Sequence, residues 1–290
     1  MTGSDEGATV NQTAIITGGT GGMGLEVARI MGRDHRVVIA DLDQRRLDTS
    51  VAELTGLGVD AEAVVCDVTD QASVDNLFAR GAQSGPVRAV VHTAGVSPQM
   101  GAADTIVRVN ALGTVNVTEA SLAAAADGFA LVNVASLAGH LVPGVLVPTR
   151  TFKLALTDTN RFAAKLTAAA GRVPKSRRPG VAYSLSKSFV IWYSEEMAQR
   201  FGAKGARILT VSPGTFDTAM GRLEEKSGSG KLVEYAALTR YGKPEEIAEL
   251  LAFCASDRPG YLTGTDILCD GGTRAGLSLK GMIALARDTS

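Results

Sequence analysis

Short apolar runs alternate with longer segments of helical period along most of the chain. The first apolar run, 13–17, reads as a strand, and 23–31 after it repeats its apolar positions at helical spacing. Further strands are expected at 36–40, 61–66, 88–92, 130–135, 207–212 and 266–269, most of them unbroken runs of Val, Ile and Leu. Such runs mark strands covered on both faces, as in a parallel sheet flanked by helices. Helical periods fall between them near 42–54, 71–82, 105–125, 183–201 and 245–255. The pattern predicts an α/β fold built on a doubly wound parallel sheet. No unit repeats, and no linker rich in Pro, Ser and Gly divides the chain, so one domain is expected over 13–272, after a flexible start at 1–12. Two segments break the alternation: an insertion, 139–180, and a C-terminal extension, 273–290.

Composition removes several classes of function. Lys and Arg number 29 against 30 Asp and Glu in 290 residues, a net charge of -1, so no overall field recruits nucleic acid or an anionic membrane. Residues 1–12 lack the basic and apolar regions of a secretory signal, and no apolar run reaches the ~18 residues of a spanning helix. A cytoplasmic protein with neither nucleic-acid nor membrane partners is expected. Cys66, Cys254 and Cys269 are scattered through apolar segments without metal-ligand spacing. They read as buried thiols, and no metal site is expected.

Candidate chemistry begins at the end of the first strand. Thr17-Gly18-Gly19-Thr20-Gly21-Gly22-Met23-Gly24 joins that strand to the first helix. Glycines there let backbone N–H groups approach a pyrophosphate, and the helix N-terminus adds partial positive charge. Seventeen residues past Gly24, the second strand ends in Asp41, near the offset at which a carboxylate accepts the adenosine ribose hydroxyls. That carboxylate would repel a 2′-phosphate, which favours NAD over NADP, although Arg45 and Arg46 stand close by; a helix N-cap is the other reading of Asp41. Tyr183 and Lys187, four apart in a helical period, share one face. A free tyrosine is under ~1% ionised near neutral pH, and a cation within about 4–6 Å lowers such a pKa by about 1–3 units, so the pair has the makings of an acid/base site.

These features, with Ser136 closing the run 131–135, resemble the short-chain dehydrogenase/reductase family, in its compact single-domain branch, from about 13 to 272. The resemblance implies a Rossmann-like fold and an oxidoreductase in which Asn110, Ser136, Tyr183 and Lys187 are catalytic. Tyr183 would exchange the proton of the substrate oxygen, Ser136 would hydrogen-bond that oxygen, Lys187 would lower the tyrosine pKa and hold the nicotinamide ribose, and Asn110 would hold a water linking Lys187 to solvent. It further implies that Gly18, Thr20, Gly22, Met23, Gly24, Asp41, Asp67, Val68, Ala94, Gly95, Pro213, Gly214 and Thr218 join Tyr183 and Lys187 in binding NAD, Asp67-Val68 at the adenine and Thr218 at the carboxamide. One departure is His92-Thr93-Ala94-Gly95, where many relatives carry asparagines before the Ala-Gly. His92 is expected to be a structural imidazole satisfied by backbone.

The insertion adjoins this site, because Ser136 and Tyr183 stand 47 positions apart where the family has a short connection. An apolar, Pro-containing loop over 141–148 and an amphipathic helix over 151–170, with Phe152, Leu156, Ala163, Leu166 and Ala170 on one face, are expected. The insertion, and Val107-Arg108-Val109-Asn110, are similar to features of the bacterial 3α-hydroxysteroid dehydrogenase/carbonyl reductase group, which implies a bulky, steroid-like ketone or secondary alcohol as substrate. Arg150, Lys153, Arg161, Lys165, Arg172, Lys175, Arg177 and Arg178 face only Asp158 over 149–179. This is either a solvated face or a surface for an anionic handle, such as a CoA thioester or an acidic carrier protein, which would make the enzyme a 3-oxoacyl reductase. A dinucleotide-binding sensor without turnover is the rival of another class. The resemblance also implies a homo-oligomer, dimer or tetramer. The stretch 224–231 reads as the mobile part of a substrate lid, and Leu277, Leu279, Met282, Ile283 and Leu285 as a packing surface of the extension.

Overall fold

The computed structural model describes residues 12–225 and 229–277. Among these residues there are seven strands, β1 (Thr13–Thr17), β2 (Arg36–Asp41), β3 (Ala61–Val65), β4 (Val87–His92), β5 (Ala130–Val134), β6 (Arg207–Pro213) and β7 (Asp266–Cys269). All pair in parallel, in the order β3-β2-β1-β4-β5-β6-β7. The chain builds outward from β1 to β3, then returns to the centre and builds the other way. The carboxyl ends of β1 and β4 therefore diverge into the crevice where doubly wound sheets bind ligands.

The unbroken apolar strands feed two cores, because successive side chains leave a strand on opposite faces. Ile15, Val38, Val90, Leu131 and Ile208 face α3 (Gln71–Gly81), α5 (Gly113–Ala124) and α9 (Arg178–Gly202). Ile16, Val37, Val91, Val132 and Leu209 face α1 (Gly22–Met31), α2 (Gln44–Gly56) and α11 (Pro244–Ala255). The helix expected at 105–125 is one rod in three parts: α4 (Ala103–Val107), a π-helical turn Arg108–Leu112, and α5. Asn110 sits in that turn, the kind of irregularity that clusters at functional sites.

The insertion differs from expectation. After α6 (Leu137–His140) and a 3-10 turn, α7 (Thr149–Phe152) runs into a second 3-10 turn and stops. Asp158 then caps α8 (Thr159–Ala170) by accepting the Arg161 N–H at 2.9 Å. One helix over 151–170 is therefore two pieces, because the Thr157-Asp158 pair offers the backbone a cap instead of a continuation. The break shifts the helical phase: Leu156 is 40% exposed, while Phe162 joins Phe152, Ala163, Leu166 and Ala170 in the core. Phe162 lies 4.3 Å from Phe189 of α9 between ring centres, and Phe152 meets Phe189 edge-on at 5.3 Å. The insertion is thus packed onto the helix that carries Tyr183. That helix begins at Arg178, with Pro179 in its first turn, and so absorbs the end of the inserted segment.

Beyond β6 lie α10 (Ala219–Glu225), a 3-10 turn Ser229–Tyr235, and, after β7, α12 (Thr273–Gly276). Glu224 and Glu225 of the expected lid close α10, and 226–228 lie outside the described residues. Of the apolar positions in the extension, Leu277 is buried; Leu279, Met282, Ile283 and Leu285 lie outside the described residues, as do 1–11. Among the described residues no helix is long and apolar enough to cross a membrane. Phe162→Ala should cost about 3–5 kcal/mol in denaturant unfolding, against less than about 1 kcal/mol for Leu156→Ala; equal losses would contradict the break at Asp158.

Candidate active site

The glycine-rich turn is shaped by contacts that only glycine permits. Gly18 has φ +67°, and a Cβ there would lie 2.8 Å from the Ala94 nitrogen. A Cβ on Gly24 would come 2.4 Å from the Gly18 carbonyl oxygen, so α1 starts hard against the end of β1. Gly21, the N-cap, offers no side chain to the first-turn N–H groups, an arrangement that suits a phosphate. Thr218, which follows β6, packs its methyl against Gly22, where a Cβ would be 3.2 Å away, and its hydroxyl accepts the Gly221 N–H. Pro213 ends β6, and Gly214 donates its N–H to the Cys269 carbonyl at 2.9 Å, which aims this segment at the turn. Met23, second residue of α1, packs against the core on that side of the sheet.

Asp41 ends β2 with its carboxylate accepting the Thr20 hydroxyl and the Leu42 N–H. The cap of α2 is Asp43, which accepts the Arg45 and Arg46 N–H groups, so Asp41 is not a helix cap. Arg46 donates to the Thr20 carbonyl at 3.1 Å. Asp67 folds back to accept the Thr69 N–H and hydroxyl, both at 2.8 Å. Val68 fills the space left by Gly113, where a Cβ would be 2.7 Å from its side chain.

Tyr183 and Lys187 lie one turn apart on α9. Lys187 is only 6% exposed; its ammonium donates to the Val134 carbonyl at 2.8 Å and stands 5.9 Å from the centre of the Tyr183 ring. Two residues past that carbonyl, Ser136 caps α6 by accepting the Ala138 N–H. Asn110 accepts the Val96 N–H at 2.8 Å and donates to the Val96 carbonyl at 2.9 Å and to the Ser186 hydroxyl. A Cβ on Gly95 would lie 3.2 Å from the Asn110 oxygen and 3.5 Å from the Lys187 nitrogen, so these three residues meet at one point. Tyr183 carries a group that can give or take a proton, with a buried cation one turn along its helix. Among the described residues no cluster of three His, Cys, Asp or Glu side chains could hold a metal ion.

Comparison with known proteins agrees with this architecture. The short chain dehydrogenase family model matches residues 12–169, and the enoyl-(acyl carrier protein) reductase model matches 166–274. The chain belongs to the short-chain dehydrogenase/reductase family, a family of oxidoreductase enzymes that bind nicotinamide dinucleotides. It is 28% identical to 3-oxoacyl-[acyl-carrier-protein] reductase FabG of Thermotoga maritima, covering 90% of this chain and 97% of that one. It is 27% identical to 3beta-hydroxysteroid dehydrogenase 2 of Eggerthella lenta, over 91% and 95%. The crystal structure of a Burkholderia cenocepacia short chain dehydrogenase in complex with NADP shares the fold, with TM-score 0.72 at 23% identity over 92% of this chain and 99% of that one.

His92 differs from its expectation. It is satisfied by two hydroxyls, not by backbone: Nδ1 meets Thr17 Oγ1 at 2.7 Å and Nε2 meets Thr114 Oγ1 at 3.2 Å. Thr114 spends its hydrogen on the Asn110 carbonyl, so Nε2 carries the imidazole proton and Nδ1 accepts from Thr17. A buried chain of bonds thus runs from the strand under the glycine-rich turn to the backbone of Asn110. Threonines at 17 and 114, 97 positions apart, give no local signal of it. Burial, reinforced by the Lys187 charge, pushes the His92 pKa down to about 3. The imidazole is neutral in folded and unfolded chains above about pH 6.5, and below that only the unfolded chain takes the proton. Stability should then fall by up to about 1.4 kcal/mol per pH unit from about 6.5 towards 3. In urea unfolding between pH 7.5 and 4, His92→Asn should lack this slope; parallel curves for the two proteins would contradict a buried neutral imidazole.

Proposed function

We propose that this protein is an NAD(H)-dependent oxidoreductase that interconverts a secondary alcohol and a ketone on a bulky hydrophobic, steroid-like substrate. The observation that carries the reading is the meeting of Gly95, Asn110 and the buried Lys187 one helical turn from Tyr183, beside a glycine-rich turn that admits a phosphate. The nicotinamide, when bound, supplies or takes the hydride. In reduction, the Tyr183 phenol would give its proton to the carbonyl oxygen, and Lys187, linked to solvent by a water held at Asn110, would restore it. The cap of α6 uses an acceptor site of the Ser136 hydroxyl and leaves its hydrogen for the substrate oxygen. Asp41, free of any capping duty, supports NAD over NADP. The hydrophobic substrate class is supported by the likeness to a hydroxysteroid dehydrogenase. We place the protein in the cytoplasm as a homo-oligomer, dimer or tetramer, acting on a small molecule.

A second reading, reduction of 3-oxoacyl thioesters, is favoured by one further observation. Arg150, Lys153, Arg161 and Lys165 are exposed on the insertion and pair with no carboxylate among the described residues. The likeness to FabG points the same way.

NADH and NADPH oxidation against steroids, cyclic ketones, quinones and acetoacetyl thioesters tests both. Turnover of a steroid or cyclic ketone with NADH is expected, reduced by about 10²–10⁴-fold in Tyr183→Phe. Preference for thioesters that is lost in the Arg161→Glu, Lys165→Glu protein would establish the second reading. Tight NADH binding with silence across the panel would favour a non-catalytic sensor.

A further inference from the structure

A polar cluster lies beside the site, on the sheet face that carries α9. The Asp266 side chain, at the start of β7, is only 7% exposed. Its Oδ1 accepts the Thr210 hydroxyl at 2.6 Å and the Ser212 hydroxyl at 2.7 Å, both from β6. Its Oδ2 lies 2.9 Å from Nε2 of His140, the last residue of α6, and the same Nε2 is 3.1 Å from the Ser212 oxygen. Because both hydroxyl hydrogens go to the carboxylate, the Nε2 hydrogen is shared between Asp266 and Ser212. The three residue types are those of a nucleophilic triad, but the proton directions are not, since Ser212 donates to the acid and not to the histidine. The cluster is a clamp.

What it clamps is the turn that carries Ser136. Four residues, Leu137–His140, are far too few for a helix to hold itself together. Besides the burial of Leu137, two contacts fix this turn from outside. On one side Gly139 rests on the backbone of α9, where a Cβ would be 2.8 Å from the Lys187 carbonyl carbon and 2.9 Å from the Ser188 nitrogen. On the other, His140 ties the end of the turn to β6 and β7. The start of the turn is tied to Ser136 itself: the Ala138 N–H reaches its hydroxyl at 3.2 Å and the Gly139 N–H its carbonyl at 2.9 Å. A shift at His140 is therefore passed through four residues to the Ser136 oxygen.

We propose that His140, held by Asp266 and Ser212, is a positioning residue that sets where the Ser136 hydroxyl stands relative to Tyr183 and Lys187. Its effect on turnover rests on the reductase reading above, whereas the clamp itself does not.

The test joins a structural and a kinetic readout on the full chain. Amide hydrogen exchange at Ala138 and Gly139 should speed up at least tenfold in His140→Ala and in Asp266→Asn. In His140→Gln, whose amide can donate from a similar position, most of the protection should return. On whichever carbonyl of the panel is reduced, kcat should fall by about ten- to a hundredfold in His140→Ala, with NADH binding unchanged. In a Ser136→Ala background, His140→Ala should cause little further loss, because the group it positions is gone. Unchanged exchange at Ala138 and Gly139 would overturn the clamp, and multiplicative losses in the double variant would overturn the action through Ser136. If His140→Ala does not fold, Asp266→Asn and His140→Gln decide by the same criteria. Absence of turnover in the unmutated protein counts against the reductase reading and leaves the exchange rates to decide the clamp.

Discussion

The site is organised around one buried ammonium. Lys187 sits in a helix packed on the sheet, almost without solvent, and a charge so placed has to be met by polar atoms. The Val134 carbonyl at the end of β5 meets it, and that bond brings the carboxyl end of the sheet against α9 at one point. Other features follow from the same constraint. Gly139 lies where a side chain would press on the Lys187 backbone, and Gly95 where one would crowd the Asn110 oxygen beside the Lys187 nitrogen. Asn110 is drawn to the same point by a π turn, and the charge helps to keep His92 neutral inside the sheet.

The insertion belongs to this core. Phe152 and Phe162 close a cluster with Phe189, Trp192 and Tyr193, so the added segment braces the helix that carries Tyr183 and Lys187. Its aromatic side faces inward and its cations face out. One segment thus adds an apolar inner side to the core and a basic outer surface.

Much of the fold was legible because its signals are local. Unbroken Val, Ile and Leu runs marked the strands to within a residue or two, and the glycine-rich turn announced itself by spacing. Features set by competition or by distance were hidden. A 3.6-residue period runs through Arg108–Leu112 without showing that the backbone there widens into a π turn. The break at Asp158 depends on a cap overriding an otherwise continuous period, although Asp followed by Thr-Asn-Arg carries its signature. The pairing of His140 with Asp266 spans 126 positions, and nothing local foretells it. The candidate site divides the same way: its residue types stand in recognisable motifs, while the bonds that aim Asn110, Ser136 and Lys187 come from the packing of distant elements.

In the proposed function Tyr183 and Lys187, so held, support transfer of hydride to a carbonyl. Deuterium transfer tests it most directly. The protein would be incubated with NADH deuterated at the nicotinamide C4 position that is transferred and with a reducible ketone, and the product analysed by mass spectrometry. One deuterium is expected on the carbinol carbon, and almost none in Tyr183→Phe despite equal NADH binding. Equal incorporation in Tyr183→Phe, or bound NADH that transfers no deuterium to any ketone, would contradict it.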